Sequence, residues 1–358
     1  MKKFLIAILI LLPINVNAYS TSASSAILMD MDSHRIIYAK NSHNIQSVAS
    51  ISKIMTAVIA TENINIKTKV TIGDEIKQAY GSGIYIKKGE KLTIEDLLYG
   101  LMLRSGNDAA LAIAVHTSGS VDNFVQKMNE KAKEIGMEDT TFNNPSGLDE
   151  EKGNYSSAYD MALLMSYAMN NREFKRITGE KKYKFKTNKN TYIWHNKNKL
   201  LYSYKYTTGG KTGFTKIAKR TLVTSASKSG LNLTAVTLND GNDWNDHRKL
   251  YEEAFKSYSS YKILNKGYIS VLGENYYKNN KLYIKHNFKY PLLDSEKDNI
   301  KLKFKIEKKR NPNNKEKVGR VEVFLADKKI KTENIYLEIK DTKRKSLINK
   351  IKDWIKND

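Results

Sequence analysis

The chain contains no cysteine, which excludes disulfides, a thiol nucleophile, a thiolate metal site and lipid acylation of a cysteine. Stability must come from packing, and 358 residues with 40% hydrophobic content are enough to fill the cores of two domains. No Gly-x-Ser-x-Gly segment is present, so the strained serine elbow that serves many Ser-His-Asp hydrolases is missing. The six histidines, His34, His43, His116, His195, His247 and His286, are dispersed without ligand spacing. Each reads as a surface or packing residue, and neither a metal nor a cofactor is expected. There is no internal repeat, no low-complexity linker and no apolar run of the ~20 residues that cross a bilayer.

What the chain has in excess is positive charge: 61 Lys plus Arg against 38 Asp plus Glu, a formal net charge of +23. Basic residues are scattered, without a dense arginine run or a nucleic-acid motif, so nucleic acid is not the expected partner. At the start, Met1-Lys2-Lys3, the apolar stretch Phe4 to Leu12 and the small residue Ala18 make residues 1–18 a cleaved secretion signal. The alternative is an uncleaved membrane anchor. Export places the protein outside the cytoplasm, where the anionic cell envelope is the counter-surface for its charge.

Apolar runs at Ala26 to Met31 and Arg35 to Ala39 flank an Asp-Ser-His turn and predict an opening hairpin. A helix should start at Ser50, because Ile51, Ile54, Met55, Val58 and Ile59 recur at helical spacing. Ile94, Leu97, Leu98, Leu101 and Met102 predict a second helix that stops at Ser105-Gly106. Ala109 to Val115 predict a buried third, and Val121 to Ile135 an amphipathic fourth ended by Gly136. Tyr-, Thr- and Val-rich strands follow between Lys181 and Asp240, and Trp244 to Ser257 returns to helix. This order predicts a sheet covered by helices, with the chain returning to its first strands: a mixed α/β fold of the α+β kind. After Lys262 short alternating strands predict a second, all-β domain. The expected division is a signal at 1–18, a catalytic domain at 19–261, a β domain at 262–340 and a basic amphipathic helix at 341–358. In that last segment Leu347, Ile348, Ile351, Trp354 and Ile355 share a face opposite several lysines, which suits an anionic membrane surface through 343–356. The alternatives are a helix packed on its own domain or a frayed tail.

Three short peptides carry the chemistry. In Ser50-Ile51-Ser52-Lys53, the serine and lysine three apart share a helix face, so the amine can take the hydroxyl proton if its pKa is lowered by burial and a neighbouring cation. Lys211 is the expected neighbour. In Ser105-Gly106-Asn107, the hydroxyl can relay a proton and Asn107 can donate to a substrate amide carbonyl. Lys211-Thr212-Gly213 is expected ahead of a strand, the lysine and hydroxyl suiting a carboxylate and the glycine letting a substrate backbone approach. Each peptide alone is common; the ordered trio is not.

The trio, with Ala49 to Thr56, Leu103 to Ala110, Phe142 to Leu148 and Gly209 to Thr215, resembles the D-alanyl-D-alanine carboxypeptidases among the low-molecular-mass penicillin-binding proteins. The likeness covers about residues 24–260 and, more loosely, the β domain. It implies a β-lactamase/transpeptidase-like domain, with an antiparallel sheet flanked by helices, followed by a small β-sandwich. It also implies removal of the terminal D-alanine from peptidoglycan stem pentapeptides, and covalent inhibition by β-lactams. Carried over by position, Ser50 is the acylated nucleophile, Lys53 the base and Ser105 the relay. Asn107, Lys211, Thr212 and Gly213 bind substrate, with the Phe214 and Ser50 backbone N–H groups as oxyanion hole. Ser52 stands where the family usually has Thr, Ser146 where it often has His, and Gly209-Gly210 replaces a common Asp-Gly pair.

Three alternatives remain: a D,D-endopeptidase using the same acyl transfer, a non-catalytic β-lactam-sensing or wall-binding protein, and a β-lactamase. The last would need a water-activating glutamate. Glu150 and Asn154 have a suggestive spacing, read here as coincidence because they follow a carboxypeptidase-like segment. Vegetative wall versus spore cortex, the third stem residue and the oligomeric state are left open by the sequence.

Overall fold

The computed structural model describes residues 19–149 and 152–339. The expected signal at 1–18, Glu150 and the expected helix at 341–358 lie outside the described residues. The chain divides into two compact units, one made chiefly of 36–227 and 232–256, the other chiefly of the residues from 257 onward.

The first unit opens with the expected hairpin, β1 (Ser25–Asp30) and β2 (Ile36–Lys40). Every residue of β1 is buried, because it pairs on both sides, with β2 and with the unit's last strand. Helix α1 (Lys53–Asn63) buries all of its first eight residues, which makes it a central helix with no solvent face through that stretch. Helix α2 (Ile94–Tyr99) is also fully buried and begins at a reciprocal cap in which Thr93 and Asp96 satisfy each other's backbone N–H. Next come α3 (Asn107–Ser118) and the amphipathic α4 (Val121–Ile135), which buries Phe124, Met128 and Ala132 and ends at Gly136. Helices α5 (Ala158–Ala168) and α6 (Arg172–Gly179) were not anticipated. The first is buried at nearly every position and so lacks a polar face to mark its period; the second is only eight residues long.

After the hairpin β3 (Lys182–Lys186) and β4 (Thr191–His195), the chain forms β5 (Thr207–Thr215), β6 (Lys219–Lys228) and β7 (Leu231–Leu238). The sheet order is β2-β1-β7-β6-β5, so the first and last strands of the unit meet in the middle. Helix α7 (Asp243–Ser257) follows.

The second unit contains β8 (Tyr258–Leu264), β9 (Gly267–Ile269), β10 (Lys281–Ile284), β11 (Phe288–Leu293), β12 (Ile300–Ile306), β13 (Lys317–Leu325) and β14 (Lys328–Glu338). These form a β8-β11 pair and a five-stranded sheet of order β9-β10-β14-β13-β12. Val318, Val321, Val323, Ile335 and Leu337 are among its core residues. The unit begins ahead of the expected boundary at 262, because β8 pairs with β11 and therefore belongs with the second set of strands.

Candidate active site

Ser50 lies in a tight turn, Ala49–Ser52, wound directly onto the start of α1. Ala49 holds φ at +51°, a conformation that costs a residue with a Cβ free energy and is kept only where neighbours enforce it. Ser52 helps, its hydroxyl donating to the Ala49 carbonyl at 2.9 Å.

One turn on, Lys53 is 0% exposed, with Nζ 3.0 Å from Ser50 Oγ. The same nitrogen donates to Asn107 Oδ1 at 2.7 Å and to the backbone carbonyl of Ser146. A neutral amine has two N–H donors and one lone pair. The two oxygens occupy both donors, which leaves the lone pair for the Ser50 hydroxyl. Burial, and after it the charge of Lys197, hold the Lys53 pKa down to about 7 against a smaller opposing effect of Asp108. Lys211, the neighbour expected from the sequence, is itself buried, and desolvation, then the charges of Lys53 and Lys197, push its pKa well below the ordinary lysine range.

The Ser146 carbonyl is aimed by a loop built on asparagines. Asn144 Oδ1 accepts from the N–H of Ser146 at 3.1 Å and of Gly147 at 2.6 Å. Asn154 Oδ1 accepts from Asn143 N at 2.7 Å and Asn144 N at 3.1 Å, and its Nδ2 donates to the Asn144 carbonyl at 2.9 Å. Asn154 is thus committed to holding this loop. Gly147 sits at φ +79°, where a Cβ would stand 2.1 Å from the Ala49 carbonyl oxygen, so the loop can press against the Ser50 turn only with glycine there. Because Ser146 serves through its backbone, its departure from histidine leaves the contact with Lys53 intact.

Beyond α2 the chain widens into a π-helical turn, Gly100–Arg104, that ends with Ser105 in the left-handed region at φ +67°. Ser105 Oγ accepts from Lys211 Nζ at 3.0 Å. Asn107 opens α3; its backbone N–H donates to Ser82 O at 2.7 Å and its Nδ2 to Tyr80 O at 2.6 Å. The neighbouring Asp108 accepts from the N–H groups of Ile84 and Tyr85, so these two residues together fasten the 80–85 segment beside the site.

Lys211, Thr212 and Gly213 lie within β5, not ahead of it, because the antiparallel register with β6 starts earlier and pairs Lys211 with Val223 and Gly213 with Thr221. Lys211 is 1% exposed and also donates to Thr212 O at 2.7 Å. A Cβ on Gly213 would meet Thr221 Oγ1 at 2.3 Å and Ser50 N at 3.1 Å. Glycine is needed there chiefly to clear the Thr221 hydroxyl, and it also lets the strand run close to the Ser50 backbone. Ser50, Ser82, Ser105, Lys197, Thr212 and Phe214 border a groove of about 320 Å³. Phe214 is 66% exposed at its edge.

All eight sequence-derived residues therefore surround one locus, with Asn107 reaching it from behind Lys53. The reading from sequence missed Lys197, Asp108 and the Ser146 carbonyl. The histidines stand apart: His247, for instance, is buried between Thr224 and Thr237, and desolvation alone pushes its pKa down to about 3.

Residues 13–242 match the family described as D-alanyl-D-alanine carboxypeptidase, and residues 258–343 match the penicillin-binding protein 5 C-terminal domain. The chain is 38% identical over 221 residues to the D-alanyl-D-alanine carboxypeptidase DacF of Bacillus subtilis, covering 60% of this chain and 56% of that protein. It is 34% identical over 212 residues to DacB2 of Mycobacterium tuberculosis, covering 59% of this chain and 72% of that one. Among solved structures, penicillin binding protein 5 from Haemophilus influenzae superposes with a TM-score of 0.76 at 28% identity, over 89% of this chain and 97% of that one.

Proposed function

The chain belongs to the D-alanyl-D-alanine carboxypeptidase family, and we propose that it removes the terminal D-alanine from peptidoglycan stem pentapeptides through an acyl-enzyme on Ser50. The observation that carries this reading is the surroundings of Lys53: full burial, a pKa of about 7, and hydrogen bonds from its amine to the Asn107 side chain and the Ser146 carbonyl beside its 3.0 Å contact with Ser50 Oγ. A serine beside a neutral, oriented amine is an activated nucleophile. Non-covalent binding to the wall would require no such amine.

In the forward reaction Ser50 Oγ passes its proton to Lys53 and bonds to the carbonyl carbon between the last two D-alanines. The backbone N–H groups of Ser50 and Phe214 take the oxyanion. The C–N bond then breaks, and the leaving amine receives a proton through Ser105, which is linked to Lys211. Water enters, its proton returns to the lysine network, and the Ser50 ester is hydrolysed. Lys211 and the Thr212 hydroxyl receive the substrate's terminal carboxylate, whose charge favours the protonated form of Lys211. Asn107 gives one Nδ2 hydrogen to Tyr80 and has a second for the substrate amide carbonyl. β-Lactams acylate the same oxygen and form a slowly hydrolysed ester.

The same reading has the enzyme act outside the cytoplasm; it rests, for the contact of 343–356 with an anionic membrane surface, on the lysines there set opposite Leu347, Ile348, Ile351, Trp354 and Ile355 in the sequence. The test is D-alanine release from diacetyl-Lys-D-Ala-D-Ala by the mature protein and by Ser50→Ala. Release abolished by the substitution supports the carboxypeptidase. Wild-type protein that cleaves only cross-linked peptides would make it an endopeptidase, and release undiminished in Ser50→Ala would refute the mechanism.

A further inference from the structure

In the second unit three tyrosines lie side by side across adjacent strands. Tyr268 on β9 is the cross-strand partner of Tyr283 on β10, and Tyr283 is the partner of Tyr336 on β14. Their neighbours along the strands, Leu282, Ile284, Ile335 and Leu337, are buried in the core, so by the two-residue period of a strand the tyrosines face the other way. Tyr268 is 59% exposed and the other two are half-buried; the Tyr283 and Tyr336 ring centroids are 5.7 Å apart. With strands about 4.8 Å apart, the row runs on the order of 10 Å across the sheet.

Lysines accompany the row. Lys281 Nζ lies 4.3 Å from the Tyr268 ring centroid and Lys285 Nζ 3.7 Å from that of Tyr336, while exposed Lys317 pairs across from Tyr336 on β13. Carboxylates are present too: Glu338, the cross-strand partner of Lys281, accepts from the Tyr268 hydroxyl, and Glu333 pairs with His286 at 3.0 Å. A hollow of about 440 Å³ opens there, lined by Tyr268, Tyr283, Lys266, Lys285, His286 and Glu338. Outward tyrosines suit strands for their propensity alone. A contiguous row with cations over its outer rings is a more specific arrangement, since exposed cation–π contacts are weak and a lysine readily leaves the ring for a carboxylate.

We propose that this row is a docking surface for the peptidoglycan strand itself, separate from the catalytic groove. The apolar C–H faces of successive pyranose rings would stack on Tyr268, Tyr283 and Tyr336, while Lys281, Lys285 and Lys317 meet carboxylates of the attached peptides. The choice of polymer rests on the function proposed above, because the strand that carries the scissile peptides supplies both the sugar faces and the carboxylates.

The test is cosedimentation of the full mature protein with insoluble peptidoglycan at low and high salt, alongside D-alanine release from soluble diacetyl-Lys-D-Ala-D-Ala. The double variant Tyr283→Thr with Tyr336→Thr, which puts β-branched residues of good strand propensity in their place, should bind about tenfold more weakly and release D-alanine normally. Tyr283→Phe with Tyr336→Phe keeps the ring faces and should retain binding. Threonine variants that sediment like wild type overturn the proposal, as does binding that high salt abolishes while the tyrosine substitutions leave it unchanged. Tyrosine-dependent binding by a protein that releases no D-alanine would uphold the surface and refute the catalytic reading.

Discussion

Lysine behaves oppositely in the two units. In the first, Lys53 and Lys211 are sealed in the core, and loss of hydration drives their pKa values down. In the second, Lys303 lies exposed over the Phe324 ring, and half-exposed Lys305 pairs at 3.0 Å with Glu322. There the ammonium keeps its contact with water or a carboxylate. Burial thus separates the perturbed lysines from the solvated ones, and the contrast teaches that a strong excess of positive charge does not reveal which lysines react.

The sharpest way to break this comparison is to remove the buried amine. Lys53→Met keeps the volume and deletes the lone pair; the acylation rate should fall by about 10³-fold or more, measured as adduct formation with benzylpenicillin. A small effect would mean that Lys53 is as incidental as a surface lysine. Next in size is Gly147→Ala, which places a Cβ 2.1 Å from the Ala49 carbonyl at a positive φ. It should cost about 2–4 kcal/mol, read from thermal or urea unfolding, and slow acylation by displacing the Ser146 carbonyl from Lys53.

Lys197→Ala tests the charge at the groove. Lys197 depresses the Lys53 pKa, so removing it should raise that pKa and move the acid limb of the rate profile to higher pH, with the high-pH plateau of kcat retained. Lys197→Arg should leave the limb in place. The smallest effect is expected in the second unit: Lys303→Gln should change stability by less than about 0.5 kcal/mol and leave the pH limb where it was.

Much of the fold was legible because hydrophobic period survives in the sequence wherever an element has one wet face. α4 shows it through Phe124, Met128 and Ala132, and β14 through the alternation of buried Ile335 and Leu337 with Tyr336. α5 was illegible for the opposite reason, being buried almost all round. At the site, Ser50, Lys53 and Lys211 were found because Ser50-Ile51-Ser52-Lys53, Ser105-Gly106-Asn107 and Lys211-Thr212-Gly213 occur together in an order that resembles a known family, each peptide alone being common. The Ser146 carbonyl could not be found, since a backbone oxygen has no residue signature. Lys197 was hidden among 61 basic residues, and only its place beside the groove distinguishes it.

The central claim is that a neutral Lys53 activates Ser50. Its most direct test is intact-mass measurement of the benzylpenicillin adduct against time from pH 5 to pH 9, on wild type and Ser50→Ala. The account predicts one adduct, absent in Ser50→Ala, forming at a rate that rises through about pH 7 as Lys53 loses its proton. A pH-independent rate, or an adduct that persists in Ser50→Ala, would contradict it.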